Sequence, residues 1–204
     1  MAHPRRILRT DDPQVNAYRW LTSTVLPRPI AWVSTVSADG VGNLAPHSFF
    51  TVACARPPII AFSSVTRKDT LANVEATGEL VVNVASLPQR DLVNDSSALF
   101  PAGVDETVAL GIATEPSELV TPPRVADAPV ALECRLHSTV ELGDSTLVLA
   151  HVLLVAARED VLATDGYPSV DRLQPLSRLG RNEWGLPPEV FTLDRPTSPE
   201  DVHR

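Results

Sequence analysis

Short runs of hydrophobic residues, separated by turn residues, fill the first half of the chain. β-branched and aromatic residues concentrate in segments 30–36, 48–54, 59–63 and 79–85, and each predicts a strand. The Asp39-Gly40 pair predicts a hairpin turn between the first two strands, because glycine accepts the positive φ that a tight turn requires. Pro46 lacks a backbone N–H, so the sequence before the second strand predicts a sheet edge or a bulge.

The most regular alternation of apolar and polar residues covers positions 130–142. It predicts a long antiparallel strand with a core side and a solvent side, the latter including Glu133 and His137. Gly143-Asp144 predicts a turn into residues 146–157, a nearly continuous apolar run that fits a central strand. His151 lies in that run, where the pattern allows either a hydrogen-bonded core or interface histidine or a catalytic one.

Helical periods in the sequence are short. Leu71 and Val74 begin one that closes at Gly78, and segments 88–100 and 105–112 predict two further short helices or turns. About six strands with two or three short helices predict a mainly β protein built on a six-stranded antiparallel barrel. The chain has no GxGxxG, GxxxxGK[ST] or GxSxG motif, which argues against dinucleotide-fold, nucleotide-triphosphatase and hydrolase functions.

Composition narrows the classes of partner. The chain has 204 residues, a net charge of -8 and a pI near 5.0, which argue against nucleic acid and against anionic membrane surfaces. The longest apolar run is too short to span a bilayer, no signal peptide is predicted, and the cytoplasm is the expected location. Cys54 and Cys134 are predicted to be buried, reduced thiols, and the five scattered histidines indicate no metal site.

One domain is expected over residues 18–185, between an N-terminal arm at 1–17 and a proline-rich C-terminal tail at 186–204. The aromatic patch at 18–21 is predicted to pack either on the barrel or on a partner subunit.

The segment 63–70, which joins the third strand to the first helix, has the composition of an anion site. Hydroxyl side chains, Arg67 and Lys68 directly precede a helix N-terminus, where backbone N–H groups and the helix dipole favour phosphate. Lys68 is the only lysine beside 16 arginines. An equally compatible interpretation is that Asp69 or Thr70 caps the helix while both cations are solvated.

Several motifs, in the same order, resemble those of the flavin reductase-like family, whose members have an FMN-binding split β-barrel and are usually homodimers. The motifs are RPIAWVST at 28–35, NLAPHSFF at 43–50, RKDTLAN at 67–73, GELVVNV at 78–84 and QPLSRLG at 174–180. The resemblance covers roughly residues 18–184 and implies FMN as cofactor, with FAD as an alternative, and NADH or NADPH as electron donor.

The resemblance also implies roles for individual residues. Residues 34–48 of the first two motifs are expected to lie along the flavin ring, and residues 63–70 to hold its phosphate. The implied cofactor-binding residues are Ser34, Thr35, Asn43, Ala45, Pro46, His47, Ser48, Ser63, Ser64, Arg67, Lys68 and Thr70. Arg178 and Trp184 could border the flavin or a second substrate. No residue is required as a general acid or base, and His47 and His151 are the catalytic candidates.

Some positions depart from the family pattern. Ser145, Ala150, His151 and Ala156 stand where reductases of this family usually have other residues, near the site of the nicotinamide. The leading hypothesis is an NAD(P)H-dependent flavin reductase that supplies a partner monooxygenase or another acceptor. The alternatives are a flavin-binding electron carrier or store without a nicotinamide site, and a barrel that has lost flavin and serves as a binding dimer.

Overall fold

The computed structural model describes residues 3–198, which form one large antiparallel sheet with short helices around it. The helices are α1 (Ala17–Thr24), α2 (Asp69–Thr77), α3 (Arg90–Asp95), α4 (Glu106–Ala109) and α5 (Val170–Leu173), with 3₁₀ turns at Leu87–Gln89 and Glu159–Val161. The strands are β1 (Arg28–Pro29), β2 (Ala31–Val36), β3 (Gly42–His47), β4 (Phe50–Cys54), β5 (Ile59–Val65), β6 (Glu79–Val84), β7 (Thr114–Glu115), β8 (Arg124–Val125), β9 (Val130–Leu142), β10 (Ser145–Ala157), β11 (Ser177–Arg178) and β12 (Trp184–Gly185).

The main sheet has the strand order β3-β2-β6-β9-β10-β5-β4, and every neighbouring pair is antiparallel. The mainly β fold class is confirmed, although this sheet has seven strands rather than six. β3 and β4 are its two edges, yet only Ser48 and Phe49 separate them along the chain. Because so short a connection joins opposite edges, the sheet must curl until they approach each other. The Ser63 N–H then donates to the Phe49 carbonyl at 2.9 Å.

The extra strand arises at the first hairpin. Gly40, with φ of 84°, makes the turn as expected, but it joins β2 to β3 and not to the segment predicted at 48–54. Residues 42–47 form a strand that the sequence pattern does not predict, since the predicted second strand begins at Ser48. Pro46 does lie on an edge strand, opposite Trp32, so the inference of an edge is confirmed.

The long hairpin of β9 and β10 forms the middle of the sheet, as predicted. The expected solvent-exposed side of β9 is wrong at its first half, because Glu133 is fully buried. In the second half the predicted core side is wrong at the end of the strand, since Val140 and Leu142 are 43% and 53% exposed. A loop that packs over the start of the strand explains the first difference: Glu133 accepts hydrogen bonds from the backbone N–H groups of Glu118 and Leu119.

Two hydrophobic clusters lie on opposite sides of β2. Ala31 and Val33 face the barrel interior, where they pack with Phe62 and Val148, whereas Trp32 joins a second cluster with α3. Since successive side chains of a strand point to opposite faces, a strand covered on both faces reads as a continuous apolar run.

Helix α2 ends where the sequence predicts. Gly78 adopts the left-handed conformation and its N–H donates to the Val74 carbonyl, which closes the helix. Leu71 and Val74 anchor α2 in the interior cluster. This fixes the helix against β2 and β3, beside the predicted anion loop.

The predictions for the two cysteines have different outcomes. Cys134 is buried, but Cys54 is only half-buried on the edge strand β4, so the prediction of two buried thiols is wrong for Cys54. Within the predicted arm and tail, residues 3–16 and 186–198 contain no helix or strand, and residues 1–2 and 199–204 lie outside the described part of the chain. Within the described part of the chain, no helix is long and apolar enough to cross a membrane, and no His, Cys, Asp and Glu group could hold a metal ion.

Candidate functional site

A pocket of about 500 Å³ opens where the two edges of the sheet approach each other. The β3–β4 connection forms one wall, the loop between β5 and α2 forms the second, and the loop between α3 and α4 forms the third. The lining residues that the sequence predicted are Asn43, Ala45, Pro46, His47, Ser48, Ser63, Ser64, Arg67, Lys68 and Thr70. The structure therefore brings together ten of the twelve residues that the resemblance implied, from segments that are distant in sequence.

The N-terminus of α2 forms the cationic end of this pocket. Lys68 is the N-cap residue in an extended conformation, and no side chain caps the helix, so the alternative of a cap by Asp69 or Thr70 is not observed. Lys68 is exposed, and Arg67 forms an ion pair with Glu75 at 2.5 Å. A surface pair of this kind contributes about 0–1 kcal/mol, so Arg67 can exchange Glu75 for an anionic ligand at little cost.

The loop before α2 is held in an uncommon backbone conformation. Thr66 has φ of 61°, in the left-handed region that costs a β-branched residue about 1 kcal/mol or more. Two hydrogen bonds offset this cost: the Thr66 N–H donates to the Asp144 carbonyl at 2.9 Å, and the Ser64 hydroxyl donates to the Thr66 carbonyl at 3.3 Å. The turn of β9 and β10 thus holds the loop.

Ser34 and Thr35 do not line the pocket, which corrects the prediction that they lie along a ligand. Both are buried; the Ser34 hydroxyl donates to the Pro123 carbonyl at 2.6 Å. Thr35 accepts hydrogen bonds from Asn43 and Asn73 at 3.2 and 3.1 Å, and Asn43 also donates to Thr70 at 3.0 Å. Thr35 therefore positions Asn43 from behind the pocket wall.

His47 is the ionisable side chain of the wall whose pKa is most altered. Burial lowers the pKa to about 4; a backbone hydrogen bond with Ser63 opposes this, and the positive charge of Lys68 lowers the pKa further. The ring packs on Phe62 at a centroid distance of 4.8 Å, and its Nε2 is buried without a hydrogen-bond partner. His47 is thus neutral at pH 7, and its Nε2 makes no hydrogen bond within the described residues.

Glu106 is a pocket residue that the sequence did not reveal. It begins α4, is 6% exposed, and one carboxylate oxygen accepts the Leu44 N–H at 2.9 Å. Burial raises its pKa, partly offset by the Leu44 hydrogen bond. The only sequence signal is that Asp105 and Glu106 form a helix start, which says nothing about the pocket that the helix faces.

The loop between α3 and α4 was also missed as a site element. Residues 96–100 and Ala102 line the pocket, and the indole N–H of Trp32 donates to the Ser96 hydroxyl at 2.9 Å. Tyr18 and Phe49 complete the wall, with their rings 6.4 Å apart. Tyr18, Trp20 and Leu21 are 65%, 49% and 60% exposed, so the predicted aromatic patch packs on the barrel only in part.

A second pocket, of about 440 Å³, adjoins the first and shares Tyr18 and Ser48 with it. Arg178, which was predicted to border the flavin or a second substrate, lines this second pocket. Its guanidinium group stacks 4.7 Å from the centroid of the Trp184 ring. Trp184 itself lines neither pocket. His151 also lines neither; it lies on β10 between Ile59 and Arg135, which does not support a catalytic role within this chain's pockets.

Comparison with known proteins shows which family this chain resembles. The sequence matches the family described as "Flavin reductase like domain" over residues 22–172. An uncharacterised protein of Deinococcus radiodurans is 39% identical over 91% of this chain and 87% of its own. Nitrilotriacetate monooxygenase component B of Bacillus cereus has a TM-score of 0.89 at 28% identity, covering 94% of this chain and all of its own.

The 2-nitrobenzoate 2-nitroreductase of Pseudomonas fluorescens has a TM-score of 0.86 at 28% identity, covering 95% of this chain and 97% of its own. The antiparallel sheet with approaching edges is the split barrel that the resemblance implied. Since the matched region includes both the strands and the loops of the first pocket, the chain belongs to the flavin reductase-like family.

Proposed function

We propose that this protein is an FMN-binding oxidoreductase, an NAD(P)H-dependent flavin reductase that passes electrons to a partner monooxygenase or another acceptor. One observation carries the proposal: a single pocket combines a cationic helix N-terminus at one end with backbone, hydroxyl and aromatic groups at the other. A phosphate requires charge and N–H donors, while an isoalloxazine ring requires a flat apolar wall and a few donors.

The residues of the pocket fit FMN. Lys68, Arg67 and the first turn of α2 would hold the phosphate, and the hydroxyls of Ser63, Ser64 and Thr70 lie beside them. The segment from Ala45 to Ser48 would border the ring, where His47 has a buried nitrogen without a partner. Bound flavin would supply the hydride-accepting and electron-transferring chemistry.

The protein's own contribution would be binding and orientation. Neutral His47 can donate or accept a hydrogen bond without bringing a charge into the site, because its pKa of about 4 keeps the ring unprotonated at pH 7. The Thr35–Asn43–Thr70 hydrogen bonds tie β3 to α2, so the two walls of the pocket keep a fixed separation. Such preorganisation matters because hydride transfer requires the reacting atoms to lie about 3–3.5 Å apart.

The alternative of an electron carrier depended on four altered positions. Ser145, Ala150, His151 and Ala156 all lie on β10, and none of them lines either pocket of this chain. The four altered side chains therefore do not obstruct either pocket of this chain.

A monooxygenase or small-molecule acceptor is supported by two relatives. The Bacillus cereus structure is a monooxygenase component, and the Pseudomonas fluorescens structure is a nitroreductase.

We also propose a homodimer, for which the supporting observation is a set of exposed apolar side chains on the sheet. They are Val52, Val65, Val140, Leu142 and Val155, each at least 43% exposed. The cytoplasm remains the expected location.

An absorbance experiment tests the function. Purified protein is mixed with FMN and its spectrum is recorded before and after anaerobic addition of NADH and then NADPH. Bleaching of the flavin band by either nucleotide supports the reductase and identifies the donor. Bound flavin that stays oxidised would favour the carrier, and absence of bound flavin would refute both.

The phosphate end is tested separately with Lys68→Ala and Arg67→Ala. We expect each to weaken FMN binding about 10-fold, equal to about 1.4 kcal/mol, because each removes one charge beside the phosphate. Arg90→Ala is the matched control, since Arg90 is an exposed arginine at a helix start and lines neither pocket. FMN affinity that is equal in all four proteins would refute this assignment. FAD, titrated in parallel, shows whether the adenylate changes the affinity.

A further inference from the structure

Four arginines line the second pocket, in a chain whose net charge is -8. They are Arg19, Arg28, Arg178 and Arg181, and the other lining residues are Tyr18, Thr22, Ser48, Leu179 and Asn182. No carboxylate contributes to this wall. Among residues 3–198, Arg19, Arg28 and Arg178 form no ion pair, and Arg181 has only an exposed contact with Glu183 at 3.7 Å. The positive charge of the pocket is therefore not neutralised by the protein.

Arg28 is the anchor of this cluster. Its side chain is 8% exposed, and its two terminal nitrogens donate to the carbonyls of Thr22, Val25 and Leu179. Its Nε is buried without a hydrogen-bond partner. Burial lowers the pKa of Arg28, Tyr18 opposes this, and the positive charge of Arg178, which lines the same pocket, lowers the pKa further.

Only Arg28 of the four is buried, and no carboxylate in this wall offsets the repulsion among the cations, so the pocket favours an anion. Arg178 is held in place by Trp184 and by a hydrogen bond to the Arg181 carbonyl at 3.2 Å. The side chains of Arg19 and Arg181 are exposed and have no such packing. The cluster thus combines two fixed guanidinium groups with two that can move toward a ligand. A fixed guanidinium group can donate two parallel hydrogen bonds to a pair of oxygens of a phosphate or a carboxylate.

The position of the cluster connects it with the first pocket. Tyr18 and Ser48 line both cavities, and the Arg28 guanidinium lies 5.9 Å from the centroid of Phe49, which belongs to the first pocket. A molecule in contact with a ligand of the first pocket could therefore extend past Tyr18 and place an oxyanion among the arginines.

We propose that this second pocket is an oxyanion subsite for the molecule that exchanges electrons with the flavin. It takes a phosphate of the dinucleotide donor or a carboxylate of a small acceptor. The proposal rests on the proposed function of the first pocket, and it implies that negatively charged second substrates are preferred over neutral ones of the same shape.

The test uses Arg19→Ala and Arg181→Ala, because these side chains hold no backbone group in place. Arg56→Ala is the control, since Arg56 is equally exposed and lines neither pocket. Inorganic pyrophosphate is titrated calorimetrically into each protein after saturation with FMN. We expect saturable binding that weakens about 10-fold in each variant but not in the control, and Arg181→Lys should retain most of it. Binding equal in all proteins, or no binding, would overturn the proposal.

Steady-state kinetics identify the source of the oxyanion. If it is a donor phosphate, KM for NADPH or NADH rises about 5- to 20-fold in the variants while kcat changes little. If it is an acceptor carboxylate, KM rises for 2-nitrobenzoate but not for uncharged nitrobenzene. KM values unchanged for all four compounds would refute the subsite. Failure of FMN to bind at all would instead refute the proposed function, and the initial FMN titration separates these two results.

Discussion

Glu133 offers the sharpest test of the energetics of this fold. It lies in the middle of the sheet, opposite Val81 on β6, and is fully buried. Its carboxylate accepts the N–H of Glu118 at 2.9 Å, the N–H of Leu119 at 2.7 Å and Nη1 of Arg124 at 3.1 Å. These bonds fasten the loop between β7 and β8 onto the sheet.

Replacement of Glu133 by alanine should lower the free energy of unfolding by about 3–5 kcal/mol. Removing one partner of a buried ion pair usually costs this much, because the remaining charge and N–H groups lose their acceptor. We expect the lower end of the range, since Arg124 also lies 3.0 Å from the Glu115 carboxylate and keeps that partner. Glu133→Gln, which retains one oxygen acceptor, should cost about 2 kcal/mol.

Urea unfolding at pH 7 and at one protein concentration measures these differences. Glu141→Ala is the matched control on the same strand, because Glu141 is exposed, and it should change the free energy of unfolding by less than about 0.5 kcal/mol. A loss below about 1 kcal/mol for Glu133→Ala would show that solvent or other groups replace the carboxylate, and the interpretation of a buried charge that fastens the loop would be wrong.

Three further predictions concern the first pocket. His47 has a pKa of about 4 in the folded protein and about 6.5 when unfolded, so the unfolded chain binds the proton first. The free energy of unfolding therefore falls by up to about 3 kcal/mol as pH decreases from 6.5 to 4. His47→Gln should reduce this pH dependence, measured by urea unfolding, and a dependence as steep as that of the wild type would contradict the assignment. Glu106→Gln should tighten FMN binding several-fold at pH 7 by removing a negative charge from the wall, measured by flavin fluorescence, and weaker binding would indicate that the carboxylate holds the ligand. Gly42→Ala would place a methyl group against the Asp105 side chain, 2.8 Å from its Cγ, and should cost about 1–2 kcal/mol by disturbing the cap of α4; thermal unfolding unchanged within about 1 °C would refute this.

Much of the barrel could be predicted because local alternation determines it. β9 and β10 have patterns that only a long hairpin satisfies, and Gly40 and Gly78 mark a turn and a helix end through their backbone conformations. The division of residues 42–54 into two edge strands could not be seen, because it depends on the pairing of β3 with β2 and of β4 with β5. Nor could the burial of Glu133, which depends on a loop that is distant from the hydrophobic pattern of β9.

The sequence likewise predicts only part of the candidate site. Its motif residues lie in two continuous segments, 43–48 and 63–70, whose polar composition is unusual beside strands. The third wall, with Ser96 and Glu106, lies at the ends of short helices without a motif. It is held by hydrogen bonds from the indole N–H of Trp32 and the backbone N–H of Leu44. Ser34 and Thr35 belong to a motif, but their side chains form hydrogen bonds in the protein interior. A motif shows that residues match a family pattern, and it does not show which of them contact a ligand.

Lys68 provides a single reactive side-chain amine at the first pocket. It is the only lysine of the chain, and its exposed side chain lies at the mouth of the first pocket. An amine-selective acylating reagent therefore has one side-chain target, and mass spectrometry of proteolytic peptides distinguishes acylation of Lys68 from acylation of the α-amino group. Because the deprotonated amine is the species that reacts, a bound phosphate that stabilises the ammonium form should slow acylation. Occupancy of the pocket can thus be followed on the unmodified sequence, without a flavin chromophore and without substitution.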